Sequence, residues 1–265
     1  MVPTMGYLHE GHLSLLRQGR RLVDAPSGST EVDEPGSVLL TIFVNPTQFA
    51  PGEDLDVYPR DEAGDLAKAA ACGADVAFCP TDPGLMYPSL HTWVSVEQLS
   101  GGLCGASRPH HFRGVSTVVA KLWGLARPDF GVFGDKDFQQ LAILTRMHAD
   151  LFLRGEVVSM PIVREPDGLA MSSRNARLSA EMRAHALVIP AFVQAVQRRF
   201  AQGERSRAAL LGDFEEALAP GKVDYVALVD AADLTPVDIV QQPARVAVAA
   251  HFGQVRLIDN ALLAP

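Results

Sequence analysis

Two histidines near the start of the chain have the type and spacing to hold an anion. They stand in PTMGYLHEGH at residues 3–12. If a helix begins here, His9 and His12 share one face, because side chains three positions apart are helix neighbours. Free N–H groups and the helix dipole favour anions at this end, so the pair suits a phosphate. Gly6 permits a tight turn, and Gly11 permits a close backbone approach. The alternatives are two ordinary surface histidines, or zinc, whose H-E-x-x-H motif needs a wider spacing.

A second polar segment, FVNPTQF at residues 43–49, follows an apolar, strand-like run. Asn45 and Gln48 could hydrogen-bond a polar substrate. The alternative is a simple turn, because Asn before Pro is a common turn pair. Ligands bind beyond the C-terminal ends of parallel strands in open α/β sheets, and this segment would lie at such an end.

A third segment, GDKDFQQL at residues 134–141, also joins a predicted strand to a predicted helix. Lys136 could neutralise phosphate as a point charge. Gln140 lies one helical turn later, on roughly the same side. The alternative is an exposed charged helix start with Asp137 near the N-cap position.

A fourth segment, REPDGLAMSSRN at residues 164–175, places a turn signal before two hydroxyls and an arginine. Ser172, Ser173 and Arg174 offer several donors to a polyphosphate. A serine-rich helix cap is the alternative. The stretch RPHHFRGV at residues 108–115 holds adjacent histidines that would point in different directions, which does not favour a metal pair.

The elements that must position these segments alternate between strand and helix as far as residue 163. Apolar runs and Ala-rich stretches predict strand 38–44, helix 61–71, strand 75–79, helix 117–125, strand 129–133, helix 137–153 and strand 157–163. Such alternation predicts βαβ units. The fold class is therefore α/β, with a Rossmann-like, doubly wound parallel sheet.

The pattern changes after Arg164. The predicted order becomes helix 180–201, helix 207–218, and strands 223–229, 244–250 and 255–258, with the last two able to pair through a turn at 251–254. We therefore expect two domains, a Rossmann-like one over 1–162 and a smaller α+β domain over 163–265. Residues 24–36 combine Pro, Gly, Ser and acids, which predicts a solvated loop. It is either a mobile insertion or a lid.

The overall composition excludes several classes of protein. Hydrophobic residues make up 48% and charged residues 20% of 265, as in ordinary globular proteins. A net charge of −8 does not fit a general nucleic-acid binder. No apolar run approaches the ~18 residues of a membrane span, and the N-terminus does not resemble a secretory signal. Three cysteines without a CxxC do not predict a disulfide scaffold, so the cytoplasm is the default location.

Taken together, the segments resemble the pantoate–β-alanine ligase (pantothenate synthetase) family of the nucleotidyltransferase superfamily. YPR at 58–60 and RPHHFRGVSTVVAKL at 108–122 also match, and the resemblance covers nearly the whole chain in one order. It implies ATP-dependent joining of pantoate to β-alanine through a non-covalent pantoyl adenylate, releasing pyrophosphate and AMP. It also implies Mg²⁺, a homodimer, and a C-terminal domain that forms a lid over the ATP site.

The resemblance also implies the site residues. The ATP-binding set is Met5, Gly6, Tyr7, Leu8, His9, Glu10, Gly11, His12, Gly134, Asp135, Lys136, Asp137, Val163 through its backbone, Met171, Ser172, Ser173 and Arg174. Gln48 and Gln140 match glutamines that bind pantoate, with Gln48 also next to β-alanine, and we group Asn45 with them.

The expected catalytic residues belong to the same sets. They are His12, which matches the usual proton donor, together with His9, Lys136 and Arg174. The first step brings two anions together, so charge neutralisation should dominate catalysis.

One departure concerns the N-terminus. Family members carry a helix and most of a strand before the PTMG segment, whereas only Met1 and Val2 precede it here. We therefore expect a shortened central strand, either because the true start lies upstream or because the chain is truncated. The alternative functions are an impaired or non-catalytic relative, or another nucleotidyltransferase that shares the histidines but lacks the glutamines.

Overall fold

The computed structural model describes residues 1–25 and 36–265, so the predicted loop over 24–36 lies almost wholly outside the described residues. The first part of the chain alternates as predicted. Its elements are β1 (Val2–Thr4), α1 (Glu10–Asp24), β2 (Leu39–Ile42), α2 (Glu62–Ala71), β3 (Val76–Phe78), α3 (Pro83–Met86), α4 (Cys104–Ser107), α5 (His111–Ala126), β4 (Phe130–Gly134), α6 (Phe138–Asp150) and β5 (Glu156–Met160).

The strands of this part are parallel, in the order β3-β2-β1-β4-β5. Ladder pairing joins β1 to β2, β2 to β3 and β4 to β5. Met1 links the two groups, because its amino group donates to the Phe130 carbonyl at 2.7 Å and its carbonyl accepts from Val132 at 3.0 Å. The central strand β1 is short, as expected, with 3 residues. The strand order runs from β1 toward β3 on one side and from β4 toward β5 on the other. Sheets of this kind bind ligands at the point between β1 and β4 where the strand order reverses.

Helix α5 begins at His111, six residues before the predicted start at 117. Its first turn packs against the residues that follow β2, and a Cβ on Gly114 would collide with the Thr47 carbonyl. Small and polar residues such as Ser116 are fully buried there, so the apolar pattern does not reveal the helix start.

The second part of the chain combines helices with an antiparallel sheet. Its elements are α7 (Ala180–Ala186), α8 (Val188–Ala201), α9 (Arg207–Leu211), α10 (Phe214–Leu218), β6 (Lys222–Asp230), β7 (Ala244–Phe252) and β8 (Val255–Leu263). Strand β7 pairs with both β6 and β8. The predicted hairpin between the last two strands is confirmed, and β8 extends five residues beyond its predicted end.

The prediction of two continuous long helices in this part was wrong, because each is divided into two shorter helices. The helix over 180–201 is divided at Leu187, since Pro190 has no N–H to donate to the Ala186 carbonyl. The helix over 207–218 is interrupted at Gly212, whose φ of +56° is incompatible with a continuing right-handed helix.

The apolar cores follow the two parts of the chain. One buried cluster draws all its members from residues 169–263, and two others draw theirs from residues 1–147. Phe138, Val229 and Ala247 form a small cluster between the parts. The boundary near residue 162 stays a prediction, and these separate clusters are the observation that favours it. Within the described residues, no helix is both long and apolar enough to cross a membrane.

Candidate active site

Three segments meet beyond the C-terminal ends of β1 and β4. We call residues 5–12 the histidine turn, residues 134–137 the lysine turn and residues 171–174 the serine loop. They surround a cavity of about 240 Å³. The predicted site residues that line it are Met5, His9, Gly11, His12, Asn45, Gln48, Gly134, Lys136, Asp137, Gln140, Val163, Met171, Ser172, Ser173 and Arg174.

The rest of the predicted ATP-binding set lies outside this lining: Gly6, Tyr7, Leu8, Glu10 and Asp135. The Leu8 side chain belongs to the apolar core. The Glu10 carboxylate pairs with Arg17 on the surface of α1. The Asp135 carboxylate pairs with Arg245 at 2.8 Å. These three side chains therefore have protein partners outside the cavity, and the contact of all five residues with ATP stays a prediction.

The two histidines form a capping box at the start of α1. His9 is the N-cap, and its Nδ1 accepts from the Gly11 N–H at 3.1 Å. In return, Nδ1 of His12 accepts from the His9 N–H at 3.3 Å. Since Nδ1 of each ring is an acceptor, the proton of each neutral imidazole lies on Nε2.

Burial keeps both rings neutral. It lowers the pKa of His9 to about 4, with a further lowering from nearby Lys136. It lowers the pKa of His12 to about 3, helped by His9 and Lys136. Near neutral pH the pair therefore offers Nε2–H donors at a helix N-terminus instead of positive charges.

The close approach predicted at Gly11 is made by the His9 ring. A Cβ on Gly11 would lie 2.8 Å from Cε1 and 2.9 Å from Nδ1 of that ring. Only glycine leaves room for the capping geometry, which explains why this residue stands between the histidines.

A buried carboxylate that the sequence analysis missed fixes the start of the histidine turn. Asp65 on α2 is 1% exposed and accepts from the Tyr7 and Leu8 N–H groups at 2.6 Å each. Lys68 donates to the Leu8 carbonyl at 3.0 Å. Tyr7 has a positive φ of 52°, and the two bonds to Asp65 hold it there. Asp65 stands four positions after Asp61, the N-cap of α2, and nothing in the local sequence indicates that it binds the histidine turn.

The Gln48 side chain is positioned by Asn45. Asn45 is 1% exposed, and its Nδ2 donates to Gln48 Oε1 at 3.1 Å and to the Gly114 carbonyl at 3.2 Å. Its Oδ1 accepts from the Tyr87 hydroxyl at 2.8 Å. Asn45 thus has its hydrogen-bonding groups occupied by protein partners, which favours a positioning role over direct substrate binding.

The adjacent glutamines of the third segment differ in environment. Gln139 is 4% exposed and bonds the Cys104 N–H and the carbonyls of Leu99 and Gly102. Gln140 lines the cavity. Lys136 also lines it, and its side chain has no ion pair or hydrogen bond within residues 1–25 and 36–265. It therefore carries an uncompensated positive charge toward the cavity.

Arg174, by contrast, is already paired. Asp54 accepts from its Nε at 2.9 Å and its Nη2 at 3.0 Å, and also from Arg177 at 2.8 Å. The guanidinium lies 5.7 Å from the Tyr58 ring centre. A nucleotide phosphate would have to compete with this carboxylate for Arg174.

Arg108 and His111 are further residues of the site, which the sequence analysis discussed without assigning them a role. Arg108 pairs with Glu53 and donates to the Gln48 carbonyl at 3.2 Å. Nδ1 of His111 lies 2.9 Å from the same carbonyl and must donate to it, which leaves Nε2 as an acceptor. Burial, with a contribution from Arg108, lowers the pKa of His111 to about 4.

A second cavity of about 520 Å³ adjoins the first. The residues that line both are Arg108, His111, Lys136, Asp137, Gln140, Ser172 and Arg174. The two cavities therefore form one cleft, with the lysine turn between them.

Comparisons with known proteins agree with this arrangement. The family model described as pantoate-beta-alanine ligase matches residues 1–262. The pantothenate synthetase of Anaeromyxobacter dehalogenans is 53% identical over 266 residues, covering 99% of this chain and 90% of that protein. The crystal structure of pantothenate synthetase from Thermus thermophilus superposes with a TM-score of 0.91 at 44% identity, covering 100% of this chain and 92% of that one.

A further structure is the Francisella tularensis pantoate-beta-alanine ligase complexed with beta-gamma ATP and beta-alanine. It matches at 31% identity with a TM-score of 0.76, covering 98% of this chain and 88% of that one. The ligands bound in that structure are a nucleotide and an amino acid, which suits a cleft built from anion-binding turns. The chain belongs to the pantoate–β-alanine ligase family.

Proposed function

We propose that this ligase joins pantoate to β-alanine through a pantoyl adenylate that stays non-covalently bound between two steps. The pantoate carboxylate attacks the α-phosphorus of ATP, the bond to the β-phosphate breaks, and pyrophosphate leaves. The β-alanine amine then attacks the acyl carbon and loses a proton, and AMP leaves. One observation carries the proposal: a single cleft brings together neutral imidazole donors, an uncompensated lysine and a positioned glutamine.

The first step needs charge neutralisation, because two anions react. Lys136 supplies the uncompensated positive charge. His9 and His12 supply Nε2–H donors, and the start of α1 adds its dipole. The serine loop adds hydroxyl donors, with Arg174 joining once a phosphate displaces Asp54.

The second step needs the acyl group and the amine held in contact. Gln48 and Gln140 position pantoate, which supplies the proximity contribution to the rate. His111 lies beside the Gln48 backbone and presents an acceptor Nε2, which suits the amine of β-alanine. The complex from Francisella tularensis contains β-alanine together with a nucleotide, which supports a shared cleft.

The residues present fit a magnesium ion held mainly by ATP. Among the described residues, no group of three or more His, Cys, Asp or Glu side chains could hold a metal. Asp137 lines the cleft and makes no side-chain capping bond, so it could supply one carboxylate. Mg²⁺ commonly takes one or two carboxylates and otherwise water and substrate phosphates. When bound, it would offset phosphate charge.

Pantoate-dependent exchange of labelled pyrophosphate into ATP, measured without β-alanine, tests the adenylate. We expect exchange in its absence and AMP release only after β-alanine is added. Exchange that requires β-alanine would contradict a separate adenylate step.

The role of Lys136 is tested by Lys136→Ala, with the exposed Lys222→Ala as control. We expect Lys136→Ala to lower the exchange rate by ~10² or more, the scale of losing one donor to a transition state. Exchange near the rate of the unmutated protein would remove Lys136 from the mechanism. The homodimer stays a prediction carried by the family resemblance, and the cytoplasmic location stays a prediction from the cysteine content.

A further inference from the structure

The lysine turn has little support from its own residues. Gly134 begins it and has no side chain to cap it, and Asp137, the N-cap of α6, makes no side-chain capping bond. The Lys136 side chain has no partner in the described part of the chain. The position of its ammonium group therefore depends on how the backbone of the turn is held.

That backbone is held from the far end of the sequence. Asn260 on β8 donates through Nδ2 to the Asp135 carbonyl at 3.0 Å and to the Lys136 carbonyl at 3.1 Å. Asn260 is 2% exposed, so neither bond competes with bulk water. Both acceptors belong to the turn itself.

The orientation of the Asn260 amide is fixed by Arg245 on β7. The Arg245 guanidinium donates to Asn260 Oδ1 at 2.6 Å and to the Asp135 carboxylate at 2.8 Å. A flipped amide would place its oxygen against two carbonyls and its NH₂ against a cation. The amide therefore has one favourable orientation, with its donors toward the turn.

Apolar packing beside the amide holds the same region together. Arg245 lies 5.5 Å from the ring centre of Phe138, the first residue of α6. Phe138 is buried with Val229 and Ala247 of the C-terminal sheet. One face of that sheet thus contacts the backbone of the lysine turn, the Asp135 side chain and the first residue of α6.

We propose that Asn260, oriented by Arg245, is a positioning residue that sets where Lys136 presents its charge. The proposal rests on the function proposed for Lys136 above. A displacement of about 1 Å in a catalytic group can cost ~10²-fold in rate. Residues of β7 and β8 would then contribute to adenylate formation without touching substrate.

Asn260→Asp tests the proposal with little change in size. The aspartate keeps an acceptor for Arg245 but places an oxygen against the two carbonyls. We expect the maximal rate of pantoate-dependent exchange to fall about 10-fold or more, with the KM for pantoate changed less than about threefold. Thr235→Ala is the control, since it removes an exposed hydrogen bond within the C-terminal part, from the Thr235 hydroxyl to Asp233 at 2.6 Å, and Thr235 lines neither cavity. It should leave the rate unchanged.

A double variant separates positioning from general stability. If Asn260 acts through Lys136, then Asn260→Asp should reduce exchange less than about twofold in the Lys136→Ala background. An equal loss in both backgrounds would overturn the proposal, as would a normal rate for Asn260→Asp while Lys136→Ala is impaired. A normal rate for Lys136→Ala would instead remove the role proposed for Lys136, on which this inference rests.

Arg245→Lys provides the same test where Asn260→Asp folds too weakly to assay. It keeps the charge near Asp135 but loses the two-pronged contact that orients the amide. We expect a severalfold lower exchange rate, again with little further loss in the Lys136→Ala background. Unchanged exchange in Arg245→Lys would contradict the proposal.

Discussion

The histidine turn and the lysine turn both follow central strands and face the same cleft, yet they are stabilised in opposite ways. The capping bonds of the histidine turn join residues 2 and 3 positions apart. The bonds that Asn260 gives to the lysine turn span 125 and 124 positions. The bonds that hold the histidine turn lie within its own motif, whereas those that Asn260 gives to the lysine turn come from a residue far outside the GDKDFQQL motif.

The two turns also differ in charge. Burial keeps His9 and His12 neutral, so they act as hydrogen-bond donors. Lys136 remains without an anionic partner among the described residues and supplies charge. Local geometry thus provides directed neutral donors, and long-range support positions the cation.

Of the predictions that follow, the largest effect is expected from Gly11→Ala, which disturbs the locally stabilised histidine turn. Gly11→Ala would place a methyl group within 2.9 Å of the His9 ring and displace it from its capping position. We expect pantoate-dependent exchange to fall about 10- to 100-fold.

Gly124→Ala is the matched control for that variant. It makes the same change at an exposed position inside α5, where the added Cβ would have no neighbouring atom within 4 Å. It should keep the exchange rate and raise the free energy of unfolding by about 0.5–1 kcal/mol. Equal exchange rates in the two variants would show that the capping geometry is not needed.

A second prediction concerns Asp65, a distant support of the histidine turn. Asp65→Asn leaves one N–H of the turn facing an NH₂ group instead of a carboxylate oxygen. We expect the free energy of unfolding, measured with urea, to fall by about 1–3 kcal/mol, the cost of a buried unpaired donor. The KM for ATP should also rise.

Asp82→Asn makes the same exchange at the exposed N-cap of α3, where Asp82 accepts from the Gly84 N–H at 2.7 Å. Asparagine caps helices about as well as aspartate, so the free energy of unfolding should change little. If both variants lose the same stability, burial of Asp65 is not the reason for its effect.

The smallest expected effect is on the pH dependence of stability. The pKa values of His9 and His12 are lowered to about 4 and about 3, below the value of 6.5 for an unperturbed histidine. Between those limits the unfolded chain binds more protons, so stability falls as pH decreases below 6.5.

His12→Asn should reduce this loss between pH 7 and pH 5.5 by about 1 kcal/mol. Urea unfolding at the two pH values gives the measurement. The same pH dependence in both proteins would show that the buried histidine does not penalise folding in acid.

Much of the fold could be predicted from the sequence. The alternation of apolar runs with Ala-rich stretches correctly predicted the parallel sheet, because a buried parallel strand is apolar on both faces. The prediction of continuous helices was wrong at Leu187 and Gly212. There the missing N–H of Pro190 and the positive φ of Gly212 outweigh the helical pattern of the surrounding residues. The start of α5 was missed because buried Gly114 and Ser116 carry no apolar signal.

For the site, the sequence by itself predicted which residues carry the chemistry, and those roles stay predictions. The motifs with His9, Gln48, Lys136 and Arg174 identify a family, since capping and turn geometry depend on near neighbours. The tertiary structure alone decided how those side chains are held. It showed that Arg174 is paired with Asp54 and that Asn260 donates to two carbonyls of the lysine turn. The contacts that decide these points join residues distant in the chain, and their energies depend on burial, which no local pattern encodes.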